Sequence, residues 1–146
     1  MTGRAHVVAA GAGRAADLGV ARMRVLADDA VTTAFSLTEF AGETEGPWTI
    51  PHLHQGFEES FFVLDGEFTF TVGGDPVPAG AGTYVLVPKN TVHTISAGPG
   101  GGRFLTLMVP GGLEKMFLEL AGLPPNAITD PVARKEVSAR YDSIPV

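Results

Sequence analysis

Turn formers interrupt the chain at short intervals between Ser60 and Val109, and this punctuation constrains the fold more than any other feature. Ser60 to Leu64 and Phe68 to Val72 flank Asp65-Gly66, and Gly73-Gly74-Asp75-Pro76 closes the second run, which predicts a hairpin followed by another turn. Thr83 to Val87, Val92 to Ser96 and Phe104 to Val109 supply further strands, with Gly98-Pro-Gly-Gly-Gly102 read as a mobile loop between the last two. Thr32 to Phe40 is another strand candidate, and residues 1 to 31 hold short apolar stretches that predict leading strands. The 19 glycines and 11 prolines in 146 residues are what a many-stranded antiparallel fold needs, and the length suits one domain.

After Pro110 the apolar period changes. Leu113, Met116, Phe117 and Leu120 recur at helical spacing, with Gly122 placed to end the helix. A second helix is predicted from Pro131 to Tyr141, with Asp130 as N-cap and Ala133, Val137 and Tyr141 on one stripe. The expected organisation is a single domain over 1–146, with a β core from about 32 to 110 and a helical segment from about 111 to 146.

Three of the four histidines and a carboxylate form a separate pattern. In an extended strand alternate side chains share a face, so His52 and His54 present two imidazoles side by side while Leu53 points away. Completion of a metal site needs a carboxylate and a distant third histidine, here His93. Nitrogen and oxygen donors suit Fe(II), Mn, Ni, Co or Zn, and the absence of cysteine excludes soft thiolate sites. Glu58 and Glu59 compete for the carboxylate role. Glu59 shares parity with Phe61 and Val63 and is assigned to the interior, leaving Glu58 outside or supporting a histidine ring.

These residues resemble the motifs of the cupin family. Its first motif, G-x5-H-x-H-x3-4-E-x6-G, is matched in register by Gly46, His52, His54, Glu59 and Gly66. Its second, G-x5-P-x-G-x2-H-x3-N, is matched by Gly82, Pro88 and His93. Asn90 replaces a glycine of that motif, and asparagine is the residue best able to take a left-handed conformation in its stead. Ala97 replaces the terminal asparagine. The resemblance covers roughly residues 32 to 110 and implies an all-β fold, the cupin double-stranded β-helix or jelly-roll barrel with C-terminal helices. It also implies one divalent metal ion held by His52, His54, Glu59 and His93.

Composition narrows the partners. A net charge of −6 with scattered Lys and Arg gives no basic stripe, which argues against nucleic acid and anionic membranes. No apolar run suggests a membrane span and the N-terminus lacks a signal-peptide core, so a cytoplasmic location is expected. Exposed sheet edges and apolar content favour a homodimer. His6 lies outside the pattern, and Gly11-Ala-Gly13 lacks the third glycine of a dinucleotide fingerprint.

Parity also selects the wall of a pocket. Trp48 and Ile50 share a face with His52, Phe61 and Val63 with Glu59, and Phe104 shares one with Met108. An apolar, aromatic pocket beside one metal suits a small hydrophobic, flavonol-like or polyketide-like molecule. A sugar phosphate would call for inward-facing cations, and Arg103 is the strand-embedded candidate. The first functional reading is a metal-dependent oxidoreductase similar to the small flavonol (quercetin) dioxygenase-like cupins, with Glu59 as ligand and proton acceptor. The second is an O₂-independent isomerase, cyclase or decarboxylase of secondary metabolism at the same Lewis-acid site. The third is a non-catalytic cupin that binds a small ligand.

Overall fold

In the computed structural model, residues 3–123 and 131–146 are described. Among the described residues ten strands run in the order β1 (Ala15–Asp17), β2 (Arg22–Ala27), β3 (Ser36–Gly42), β4 (Gly46–Pro47), β5 (His52–Leu53), β6 (Glu58–Val72), β7 (Asp75–Ala79), β8 (Tyr84–Val87), β9 (His93–Val109) and β10 (Ile144–Pro145). Helices α1 (Glu114–Gly122) and α2 (Pro131–Arg140) lie between β9 and β10. Every strand pairing is antiparallel, so the fold is the all-β barrel with C-terminal helices that the motifs imply. The Asp130 cap lies outside the described residues.

Two long strands organise the barrel. The second half of β9 lies between β3 and the first half of β6, in the register Phe40↔Phe104 and Val63↔Phe104. Its first half pairs on one side with the end of β6, Val72↔His93, and on the other with β4 and β5. β6 and β9 thus each serve both parts of the barrel, and they must bend where they pass from one to the other.

Glycines make that bend, and here the structure corrects two sequence expectations. Asp65-Gly66 is not a hairpin turn: β6 runs through it, with register shifts between Val63 and Asp65 and between Gly66 and Phe68. Residues 98–102 are not a mobile loop either, because β9 continues through them and Gly102 pairs with both Gly42 and Gly66. A Cβ on Gly101 would lie 2.1 Å from the Gly42 carbonyl oxygen, and one on Gly66 would lie 2.2 Å from that of Gly101. The glycines therefore serve close backbone approach between strands, not a surface turn. The turn expected over residues 73–76 is the hairpin, and it is shorter: Gly73 and Gly74 alone form it, both with positive φ, while Asp75 and Pro76 already belong to β7. The strand predicted from Thr32 starts only at Ser36.

Strand parity fills the interior with aromatic side chains. Phe104 stacks on Phe40 at a ring-centroid distance of 5.4 Å and meets Phe61 and Phe68 edge-on at 5.6 and 5.1 Å. Such pairs add about 0.5–1.5 kcal/mol each beyond their buried area. A second apolar cluster, with Phe57, Met108, Leu113, Met116, Leu120 and Val137, seats both helices on the barrel. Met116 is core, while Phe117 packs edge-on against Phe40.

Candidate metal centre

His52 pairs directly with His93 across β5 and β9, which brings their rings to 4.3 Å. His54 follows β5 and stacks on Phe57. Glu59, near the start of β6, is buried, whereas Glu58 beside it is exposed. One donor atom from each of His52, His54, Glu59 and His93 lies within 4.8 Å of the other three.

The main chain dictates how these rings present themselves. His52 Nδ1 donates to the Ile50 carbonyl at 2.6 Å, His54 Nδ1 to that of Asp142 at 2.7 Å, and His93 Nδ1 to that of Thr91 at 2.9 Å. A carbonyl can only accept, so each Nδ1 carries a hydrogen and each neutral ring keeps its lone pair on Nε2. The Nε2 atoms of His54 and His93 lie 2.9 and 3.2 Å from Glu59 Oε2. Two lone pairs facing a carboxylate oxygen repel unless a positive charge lies among them, either a proton on a ring or a metal cation. The donor set fits a first-row divalent ion, and these four residues form a possible site for one.

The ionisation preferences agree with this picture. Burial works to raise the Glu59 carboxyl, but hydrogen bonds from His54 and His93 outweigh it and pull it down to about 2. Burial likewise works to lower His54, yet the Glu59 carboxylate and the Asp142 carbonyl leave it raised. His52 makes no hydrogen bond to a carboxylate, and burial with the neighbouring His93 outweighs its bond to the Ile50 carbonyl and lowers it to about 4. Without a metal, the raised His54 and lowered Glu59 favour a charged imidazolium at His54 beside an ionised Glu59 carboxylate.

Motif positions outside the donor set shape the backbone. Gly46, Gly66 and Gly82 all have positive φ, and Asn90 reaches φ 61°, so asparagine does serve where the motif has glycine. The Asn90 amide donates to the His54 carbonyl at 2.7 Å and tethers that histidine's main chain. Ala97 is buried in the apolar core.

A cavity of about 340 Å³ opens beside the cluster, with His52 and Glu59 on its floor. Trp48, Ile50, Phe61 and Phe104 line it, whereas Val63 and Met108, predicted for the same wall, are buried in the core outside the lining. Arg103 is not in the cavity; it is partly exposed and pairs with Glu39 at 3.4 Å. The cations that do line it are Arg134 and Lys135 of α2.

Sequence reasoning missed Asp142 and Thr106. Asp142, at φ 56°, orients His54 through its carbonyl, and its carboxylate accepts the Gln55 and Gly56 amides at 2.9 and 2.6 Å. β10 follows directly and pairs with β5, so the C-terminal strand clamps the His52–Leu53 segment. No local signal marks Asp142. Thr106 shares parity with Phe104 and Met108, and it lines the cavity with a buried hydroxyl that has no partner among the described residues. An unpaired buried hydroxyl costs about 1–3 kcal/mol. Thr106→Val is therefore expected to raise the melting temperature by a few degrees, measured by thermal unfolding; a lower one would show that the hydroxyl is paired in solution.

A histidine and carboxylate cluster inside an antiparallel barrel of two shared long strands defines the class, a jelly-roll barrel with a possible metal site. The chain belongs to the cupin family, whose cupin-domain profile matches residues 37–110. It is 29% identical over 76 residues to quercetin 2,3-dioxygenase of Bacillus subtilis, a match covering 52% of this chain but only 23% of that enzyme's length. The polyketide cyclase RemF from Streptomyces resistomycificus is similar with TM-score 0.55 and 28% identity, over 62% of this chain and 66% of that one. Pac13 from Streptomyces, a nucleoside dehydratase, shares the fold at TM-score 0.61 and 17% identity, over 78% of this chain and 88% of that one. Among the described residues no helix is long and apolar enough to cross a membrane.

Proposed function

We propose that this cupin is a metal-dependent enzyme acting on a small, flat, apolar molecule with enol or phenol oxygens, and that its reaction is a dioxygenation. The observation that carries this reading is the placement of His52 and Glu59 on the floor of an otherwise largely apolar cavity. A volume of about 340 Å³ lies at the small end of ligand pockets, which run from about 300 to 1,000 Å³. A bound divalent ion would supply a Lewis acid and, if redox-active, the means to handle O₂. His52, His54, His93 and Glu59 would hold it, while the aromatic rings of Trp48, Phe61 and Phe104 orient the substrate and keep water out. Glu59 is a poor base while His54 and His93 donate to it. A bound cation would hold the carboxylate ionised in their place, so the base role proposed for Glu59 falls to its other oxygen, Oε1, which accepts from neither histidine.

Likeness to the polyketide cyclase favours a second reading, in which the same site promotes an O₂-independent cyclisation or isomerisation. An oxygen electrode separates the two. Protein loaded with Fe(II), Mn(II), Ni(II) or Co(II) is expected to consume O₂ with a flavonol, and Glu59→Gln to lower the rate while leaving the barrel folded. Product formation without O₂ uptake would replace the first reading by the second, and an unchanged rate in Glu59→Gln would remove its base role.

The homodimer is part of this proposal. Phe62, Tyr84 and Leu86 are exposed on neighbouring strands, with Phe62 and Tyr84 directly paired across β6 and β8. An apolar outer sheet face of this kind is suited to a second copy. Sedimentation should give twice the monomer mass, and Phe62→Glu should halve it; a monomeric wild type would refute the dimer.

A further inference from the structure

The cavity carries a polar feature that a purely hydrophobic substrate does not need. Its floor residues His52 and Glu59 are buried, and most of its wall is apolar, but its rim includes Arg134 and Lys135. Both are exposed on α2, a helix that packs against α1 and β10. Other cationic side chains in the neighbourhood are engaged: Arg140 pairs with Glu119, and Lys115 with Asp29. Asp17 is the acidic group on the same rim, and it accepts the Gly19 amide. Two cations against one carboxylate leave the rim positive on a chain whose net charge is −6. Cations at the mouth of an apolar pocket attract an anion and hold it where water still reaches it, at little desolvation cost.

We infer that the substrate is an aromatic or enolic acid, its carboxylate held at the rim by Arg134 and Lys135 while its ring enters the cavity. This rests on the cavity being the substrate site proposed above. β10 links the rim to the floor, since it touches α2 on one side and pairs Pro145 with His52 on the other.

The test uses two nearly isosteric probes, 2-naphthoate and 2-naphthamide, titrated calorimetrically into the Co(II)-loaded protein and into the double variant Arg134→Gln/Lys135→Gln. Both side chains are exposed, so the variant is expected to fold. The wild type should bind naphthoate about three- to tenfold more tightly than naphthamide, as one or two exposed ion pairs allow. The double variant should bind both equally, with its naphthamide affinity unchanged. Naphthoate should also leave the visible spectrum of Co(II) unshifted. A preference that survives in the double variant, or a shifted spectrum, would place the carboxylate on the metal and overturn the inference. Equal binding by the wild type would overturn it too, but would leave the apolar cavity standing. Failure of both probes to bind would refute the cavity as a substrate site, and this inference with it.

Discussion

Replacing His93 by alanine is expected to leave a folded barrel that no longer retains a divalent ion. His93 sits at the start of β9, paired with His52 on one side and Val72 on the other, so its backbone is held by strand pairing that alanine keeps. What alanine removes is one of four donors within 4.8 Å of one another. Loss of an outer partner of a metal ligand already costs about 10–100-fold in affinity, and loss of a ligand itself should cost more. His52→Ala and His54→Ala should behave alike. Metal analysis of the purified variants with a chelator competition measures this, and full occupancy in any of them would contradict the site.

Acidity should act on the same centre in a defined direction. A metal must displace the proton that His54 holds towards Glu59, and His54 is raised above its ordinary 6.5. Affinity is therefore expected to rise with pH through the raised His54 value and to weaken as pH falls below it. The metal-free fold follows separate signs. Glu59 is depressed to about 2, so its contribution is complete above 4.5 and is lost as pH falls from there towards 2. His52, depressed to about 4, acts in the same sense between 6.5 and 4. His54 opposes them: its contribution is complete below 6.5 and is lost as pH rises through its raised value.

Gly101→Ala is expected to be the most damaging small substitution in the barrel. The added Cβ would lie 2.1 Å from the Gly42 carbonyl oxygen and 2.7 Å from Glu43 Cα, both backbone atoms that no rotamer change can move. The residue also sits at φ 69°, where a side chain costs about 1–2 kcal/mol by itself. Together these should destabilise the protein by about 3 kcal/mol or more. Gly74→Ala is the matched control, because φ is 90° there but nothing lies within 4 Å of the added carbon. It should lose only the conformational part. Thermal unfolding of the two variants decides the matter, and equal melting temperatures would show that β3 and β9 are not in close contact at this corner.

Much of the candidate metal site was legible in the sequence because part of its signal is local. Alternation, with a period of two residues, puts His52 and His54 on one face and sets Glu58 and Glu59 on opposite faces; the register of the family motifs, not periodicity, adds Glu59 and the distant His93. Gly73-Gly74 and the helix beginning after Pro110 were equally local. The glycines at 66 and 98–102 misled for a related reason: alone, a glycine cluster predicts a turn, and only the neighbouring strands show that it exists for close approach. Val63 and Met108 share parity with lining residues and pair directly with two of them, Phe104 and Glu59, yet their side chains are packed into the two apolar clusters.

What the amino-acid sequence determined by itself was the antiparallel strand content, the family and the identity of the four candidate ligands. Tertiary structure alone decided that the Asp142 carbonyl holds His54 from 88 residues away, that the buried Thr106 hydroxyl has no partner among the described residues, and that α2 places Arg134 and Lys135 at the cavity. The physical reason is that periodicity and turn chemistry act between neighbours along the chain. The contacts that orient a ligand or line a cavity depend instead on which distant segments pack together, and no local pattern encodes that choice.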